Sequence, residues 1–166
     1  MNVRRLRKGD STKAYELRLR GLAAAPDAFL VTLDEEQARG PGHYDQMLAK
    51  ESDDLVVFGA FVDGLVGMVG VYRFERRKVR HRAEIWGMFV DANARGKGIG
   101  AALLDRAIGH ARGIDGVTQL RLSVAGDNPA ARGLYESRGF RCWGVEASAM
   151  KDGERALDEH HYVLVL

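Results

Sequence analysis

The hydrophobic period of this chain changes several times, and each change predicts an element. "VRRLRKGD", Val3 to Asp10, alternates and runs into a turn, so it predicts a first strand. In "STKAYELRLRGLAAA" the apolar Ala14, Leu17 and Leu22 fall partly on one helical face, with Ser11 at the N-cap position and Pro26 ending the run. Asp27 to Gly42 lacks a clear period. It reads as irregular or short-helical and is broken by "GPG" at residues 40–42. "HYDQMLAKE" predicts a second helix. "DLVVFGAFVDGLVGMVGVYRF" is two apolar runs joined by Asp63-Gly64, a dipeptide suited to a tight hairpin turn. "RAEIWGMFV" predicts another strand, and "TQLRLSV" a further one.

Between those two strands lies "IGAALLDRAIGHARGI". Its Gly100, Leu104, Ile108, Ala111 and Leu103, Ala107, Ile114 repeat at helical spacing. "NPAARGLYESRG" predicts a short helix, with Asn128 as N-cap and Pro129 at the first helical position. "FRCWGVE" and "HYVLVL" predict closing strands, with a loop from Ala147 to Glu159 before the last one. The resulting order, β-α-α-β-β-β-α-β-α-β-β, is an α/β or α+β arrangement on a mixed sheet rather than a regular βαβ alternation.

Composition narrows the class without deciding the chemistry. The chain has 166 residues, of which 46% are hydrophobic and 29% charged, so one domain with a real core over 1–166 is expected. A net charge of +2 argues against a nucleic-acid binder. The one basic run, "RFERRKVRHR" from Arg73 to Arg82, reads as a solvated hairpin. Cys142 is the single cysteine, so no intrachain disulfide can form, and a reducing, cytoplasmic setting is expected. Its place in a closing strand predicts burial, which argues against a thiol nucleophile. The N-terminus has charge but no apolar stretch of the kind a secretory signal needs, and no apolar run is long enough to span a membrane.

The chemistry concentrates in "NARGKGIGAAL", Asn93 to Leu103, where glycines and cations precede a helix. A Walker A loop would need glycine at 91 and a hydroxyl at 98, where Asp91 and Gly98 stand. Gly96, Gly98 and Ala101 satisfy the dinucleotide spacing literally. However, "DANAR" separates them from the strand, and no acid closes the next strand. A pyrophosphate cradle is the third reading: successive N–H groups at a helix start form an anion nest, and the helix dipole adds positive potential. A glycine-rich turn with no ligand is the remaining alternative.

The loop does not stand alone. A strand, then R-x-x-G-x-G opening a helix, then a strand, then N-x-x-A-x-x-L-Y-x-x-x-G-F form a specific combination. Here the two motifs are "MFVDANARGKGIG" and "NPAARGLYESRGF", with Asn128, Ala131, Leu134, Tyr135, Gly139 and Phe140 in the second. In this respect the chain resembles the GNAT superfamily of acyl-CoA-dependent N-acyltransferases. The resemblance implies a mixed, mostly antiparallel sheet of six or seven strands flanked by about four helices, and acetyl-CoA as co-substrate with no metal. It implies that Arg95, Gly96, Lys97, Gly98, Ile99, Gly100 and Ala101 hold the pyrophosphate, mostly through backbone N–H groups. By the same resemblance Met88, Phe89 and Val90 offer backbone to the pantetheine arm, and Asn128 contacts it as well as capping its helix. Tyr135 is the candidate acid for the departing thiolate, because phenol and thiol pKa values are close. Glu84 is the candidate base for the acceptor ammonium, acting through water.

His81, Trp86, Glu35 and Glu36 are weaker candidates near the acceptor. His160-His161 is a poor metal motif, because neighbouring strand residues point to opposite faces. The expected acceptor is a primary amine of a small molecule or peptide, entering between Phe29–Tyr44 and Ala147–Glu159. Asp34, Glu35, Glu36, Asp158 and Glu159 could attract a cationic amine there. Neither a nucleic acid nor a membrane is implied as a partner. Homodimers are common in the superfamily, and the sequence leaves that open here. A non-catalytic acyl-CoA-binding module is the second reading.

Overall fold

The structure, a computed structural model, describes residues 1–166. Seven strands form one sheet in the order β1-β2-β3-β4-β5-β7-β6. They are β1 (Asn2–Arg5), β2 (Leu55–Phe61), β3 (Leu65–Arg73), β4 (Arg82–Val90), β5 (Gln119–Ala125), β6 (Arg141–Asp152) and β7 (Arg155–Val165). Every neighbouring pair is antiparallel except β4 and β5, which are parallel and joined through a helix. Five helices flank the sheet: α1 (Ser11–Ala24), α2 (Leu33–Arg39), α3 (Gly42–Ala49), α4 (Ile99–Gly113) and α5 (Pro129–Glu136).

The sheet is apolar on both faces, so it is covered on both. On one face α4 lays Leu103, Leu104, Ala107 and Ala111, all fully buried, against Val69, Val71, Ala83 and Ile85. Burying one such leucine stabilises the fold by about 1.5–3 kcal/mol, so this helix anchors the centre of the molecule. On the other face α1 and α3 bring Leu17, Tyr44 and Leu48 against Val57, Met68 and Phe89. The alternation of β4 therefore aims Ala83 and Ile85 at α4, and Glu84 and Trp86 toward α1 and α3.

Two expectations change and one is made definite. The 27–42 segment, expected to be irregular or short-helical, contains a fifth helix, α2. It is short, and its start rests on a capping box in which Thr32 accepts from the Glu35 N–H while the Glu35 carboxylate accepts from the Thr32 N–H. Residues 147–159 are not a loop. β6 and β7 continue as a long hairpin to a turn between Asp152 and Arg155, with register shifts between Cys142 and Gly144 and between Glu146 and Met150. The polar, glycine-bearing tip hid that pairing from periodicity. Cys142 is exposed rather than buried, because β6 is an edge strand beyond β7 and nothing covers it.

Candidate active site

Parallel strands β4 and β5 share only three register pairs, Arg82–Gln119, Ala83–Leu120 and Glu84–Arg121. Beyond Glu84 they part. Ile85 to Val90 then run without a neighbour on that side, and a cleft of about 100 Å³ opens between Ile85–Met88 and Leu122–Ala125. Phe29, Asn128, Ala131 and Tyr135 complete its walls. The parting coincides with a β-bulge: Met68 pairs with Phe89 and Gly70 with Trp86, so Gly87 and Met88 together oppose one residue of β3. Gly87 has φ +59, a conformation that favours glycine.

The glycine loop lies at the end of the parted strand. Gly96 and Gly98 have φ +74 and +76, and Gly98 is the N-cap of α4. No backbone or side-chain acceptor in the protein takes the N–H of any residue from Gly96 to Ala101. This is the uncompensated donor array of a helix start, extended backwards by two glycines, and it suits a polyanion. Gly100 faces α5: a Cβ there would meet Leu134 Cδ2 at 3.4 Å, an ordinary packing distance. Arg95 and Lys97 fold onto their own loop. Arg95 Nε donates to the Val90 carbonyl at 3.0 Å, and Lys97 Nζ donates to the Asn93 carbonyl at 3.3 Å. Both side chains are exposed, so they add positive charge at the rim.

The structure gathers some predicted residues into the cleft and not others. Met88, Asn128 and Tyr135 line it together. Asn128 Oδ1 accepts the Ala131 N–H at 3.0 Å, so it caps α5 and leaves its amide NH2 free. Tyr135 is 8% exposed, and its hydroxyl donates to Met88 Sδ at 3.4 Å. Burial pushes its phenol up to about 12. The side chains of Phe89 and Val90 point elsewhere. Phe89 packs under α1, and Val90 sits against the α4 core.

Glu84 occupies the last paired register before the parting and does not line the cleft. Burial pushes its carboxyl above the ordinary glutamate range, against the opposing pull of the Tyr72 hydroxyl and the Arg121 guanidinium. Tyr72, its cross-strand partner on β3, is itself raised to about 12 by burial and by that carboxylate.

A second hollow of about 550 Å³ runs from Leu22–Asp34 to Ala149–Asp152 and Leu157. Phe29 lines both this hollow and the cleft, so the two meet there. Of the acids expected near an acceptor, Asp34 lines the hollow, while Glu35 caps α2. Glu36 is buried against His43 at 3.1 Å, and Asp158 accepts the Ser148 N–H. His81 sits beyond the far end of β4. His161 Nε2 lies 3.4 Å from Glu146 and 3.9 Å from Glu159, and Nδ1 is held by the Ser123 hydroxyl at 3.0 Å. Residues that sequence reasoning missed are Gly87 and Ser123, while Phe29 stands in the segment expected to wall the acceptor entry. The bulge glycine was visible in "IWGMF", but its register depends on β3, far away in the chain.

A mixed sheet that parts at its one parallel pair, with a donor-rich loop at the end of the parted strand, leaves free backbone along one wall of a cleft and unclaimed N–H groups just past it. The chain belongs to the acetyltransferase (GNAT) family, whose profile matches residues 20–140. Mycothiol acetyltransferase of Beutenbergia cavernae is 47% identical over 66 residues, which is 39% of this chain and 21% of that protein. The corresponding protein of Kocuria rhizophila is 40% identical over 63 residues, 38% of this chain and 20% of that protein. The chain thus spans about a fifth of the length of the curated relatives it matches. Among solved structures, a phosphinothricin acetyltransferase from Sinorhizobium meliloti in complex with AcCoA superposes with TM-score 0.83 at 21% identity, covering 99% of this chain and 88% of that one. A ribosomal-protein-alanine N-acetyltransferase from Brucella melitensis gives 0.79 at 23% identity, with 100% of both chains covered. At these identities the two superpositions establish the fold.

Proposed function

We propose that this protein transfers an acetyl group from acetyl-CoA to a primary amine by direct attack, with all of residues 1–166 acting as one domain. The observation that carries this reading is the succession of three features along β4: its unpaired edge, the Tyr135 hydroxyl in the cleft beside it, and the unclaimed N–H groups of Gly96 to Ala101 past its end. The loop holds the pyrophosphate through those N–H groups, with Arg95 and Lys97 adding charge. The backbone of Met88, Phe89 and Val90 pairs with the pantetheine arm as an added strand would, and Asn128 offers its free amide from the opposite wall. Membership of the acetyltransferase family and the AcCoA held by the Sinorhizobium relative support acetyl-CoA as the co-substrate.

The amine nitrogen forms its bond to the thioester carbonyl carbon, and the carbon–sulfur bond breaks. Glu84 takes the proton the ammonium loses, through water, since it stands back from the cleft. Its carboxyl, raised above the ordinary glutamate range by burial, is a stronger base than a solvated carboxylate. Tyr135 donates its hydroxyl to the sulfur as thiolate develops. Held near 12 and therefore neutral, the phenol stabilises that charge as a hydrogen-bond donor. The acceptor approaches through the hollow between Leu22–Asp34 and the β6–β7 hairpin.

The test is CoA thiol release with acetyl-CoA and a mixed panel of small amines and peptides, run beside acetyl-CoA binding. Turnover on any amine supports the reading. Tight binding with no turnover on the whole panel favours a sensing module instead. Failure to bind acetyl-CoA sinks every role assigned here.

A further inference from the structure

Arg18 is the most poorly compensated charge in the molecule. It projects from α1 with only 8% of its surface exposed. Its guanidinium makes no hydrogen bond and no ion pair, and Nη1 is buried without a partner. A buried donor left unmade costs about 1–3 kcal/mol, and more when charged, so such an arrangement calls for an acceptor. The acid whose charge acts on it, Glu36, is buried too, but its carboxylate faces His43 Nε2 at 3.1 Å in an ion contact rather than a directional hydrogen bond. Burial draws the Arg18 guanidinium below its ordinary value, and Tyr44 and Glu36 only partly restore it.

The geometry shows where the missing acceptor belongs. The Arg18 guanidinium stacks over the Phe29 ring, with Cζ 4.3 Å from the ring centroid. Stacking occupies the planar face and leaves the in-plane N–H groups free for an oxyanion. Arg18 Nη1 is the only atom within 4.0 Å of the place a Cβ on Gly87 would occupy. Phe29 and Gly87 both line the cleft, and Gly87 sits in the bulge beside Met88. The unpaired guanidinium thus lies stacked on Phe29 and beside the bulge where the proposed acyl transfer takes place, with Nη1 itself closed off from solvent. The neighbouring hollow carries Asp27, Asp34 and Asp152 beside Lys151, and Asp27 is already paired with Arg155 at 2.7 Å, which leaves Asp34 and Asp152 as the acids suited to an ammonium.

We propose that Arg18 is the anion receptor of the acceptor site, and that the acceptor is an amino-acid-like zwitterion with a carboxylate on the amine-bearing carbon. This rests on the acetyl-transfer reading above. It narrows the acceptor from any primary amine to one whose two charges are one carbon apart. Phe29 holds the guanidinium plane, and the missing side chain of Gly87 leaves room for the carboxylate. Arg18 is a binding and positioning group, and no bond is made to it.

The experiment compares α-amino acids with their decarboxylated amines: methionine with 3-(methylthio)propylamine, phenylalanine with phenethylamine, tryptophan with tryptamine. CoA release gives kcat/KM for each, and calorimetry of the CoA-saturated full chain gives binding. A charge-assisted hydrogen bond predicts a preference of roughly 10- to 100-fold for the acid, and Arg18→Gln brings that ratio toward one. A merely structural arginine would lower both members of each pair and leave the ratio standing. If the glutamine variant does not fold, Arg18→Lys carries the comparison, since it keeps the charge and loses the fork. A wild-type ratio near one, or a ratio the variant leaves intact, overturns the proposal while turnover itself upholds the transferase. If no amine turns over, the calorimetric preference for the acids still decides: its presence and loss with Arg18→Gln support the receptor, and its absence overturns it.

Discussion

Tyr135, buried, and Glu84, half-buried, are two ionisable groups whose environments push both pKa values upward, with opposite consequences for chemistry. The phenol becomes more firmly a donor. Tyr135→Phe is expected to lower kcat by roughly 100-fold with acetyl-CoA affinity nearly unchanged, because the hydroxyl's one protein partner is the weak acceptor Met88 Sδ. Steady-state kinetics beside direct binding checks this. Glu84 must be ionised to act as base, so kcat/KM should rise with pH through its raised value, and Glu84→Gln should remove that limb and lower kcat/KM roughly 100-fold. Stability runs the other way. A carboxyl raised in the folded state favours the protonated form, so its contribution is fully present below the ordinary glutamate range and is lost as pH rises through the folded value. The neutral glutamine should therefore melt higher than wild type near neutral pH while catalysing worse. A lower melting point with unchanged kinetics would remove Glu84 from both accounts.

At the scale of elements, the start of α4 shows how local chemistry and function coincide. Gly98 holds φ +76 and presents part of the unclaimed donor array. Gly98→Ala is expected to cost about 1–2 kcal/mol of stability, because an L-residue resists that conformation. It should also weaken acetyl-CoA binding, and thermal unfolding with and without the ligand separates the two losses. At α2, Thr32→Ala removes one half of the capping box and should cost about 1 kcal/mol, read as a lowered melting point. These elements also show what a sequence makes legible. The glycine loop, the α4 stripe and the Asp63-Gly64 hairpin were readable because their signals are local: turn residues, helical spacing, a period of two. The β6–β7 hairpin was half readable. Its ends alternate cleanly, but its outer half is held by pairing across the turn and carries no buried face to impose a period, as the exposure of nearly every β6 residue shows. Cys142 was misplaced for the same reason, since a strand's sequence does not say whether it lies at an edge.

At the scale of the whole molecule, ligand binding should be visible as added stability. Acetyl-CoA at about 100 times its dissociation constant should raise unfolding free energy by roughly 2.7 kcal/mol, with NADH giving no shift in the same thermal scan. Equal shifts with both ligands would return the loop to the dinucleotide reading. The parting of β4 from β5 and the meeting of Phe29, Gly87 and Arg18 were hidden from single-sequence reading, because each depends on residues brought together from distant segments. Arg18 reads in "ELRLRGL" as one more solvated cation, and only the packing of α1 against β4 reveals it as buried.

The three register pairs between β4 and β5, with the Thr118 and Gln119 N–H groups on the His81 carbonyl just before them, are the backbone bond between a four-stranded and a three-stranded half of the sheet. The slot for the ligand is therefore also the fault line of the fold. Anything lying in it edge-on acts as a splint, touching both halves at once and restoring the continuity the strands give up. Occupancy and mechanical unity become one quantity, and a force or denaturant that opens the molecule should find this seam first when it is empty and last when it is filled.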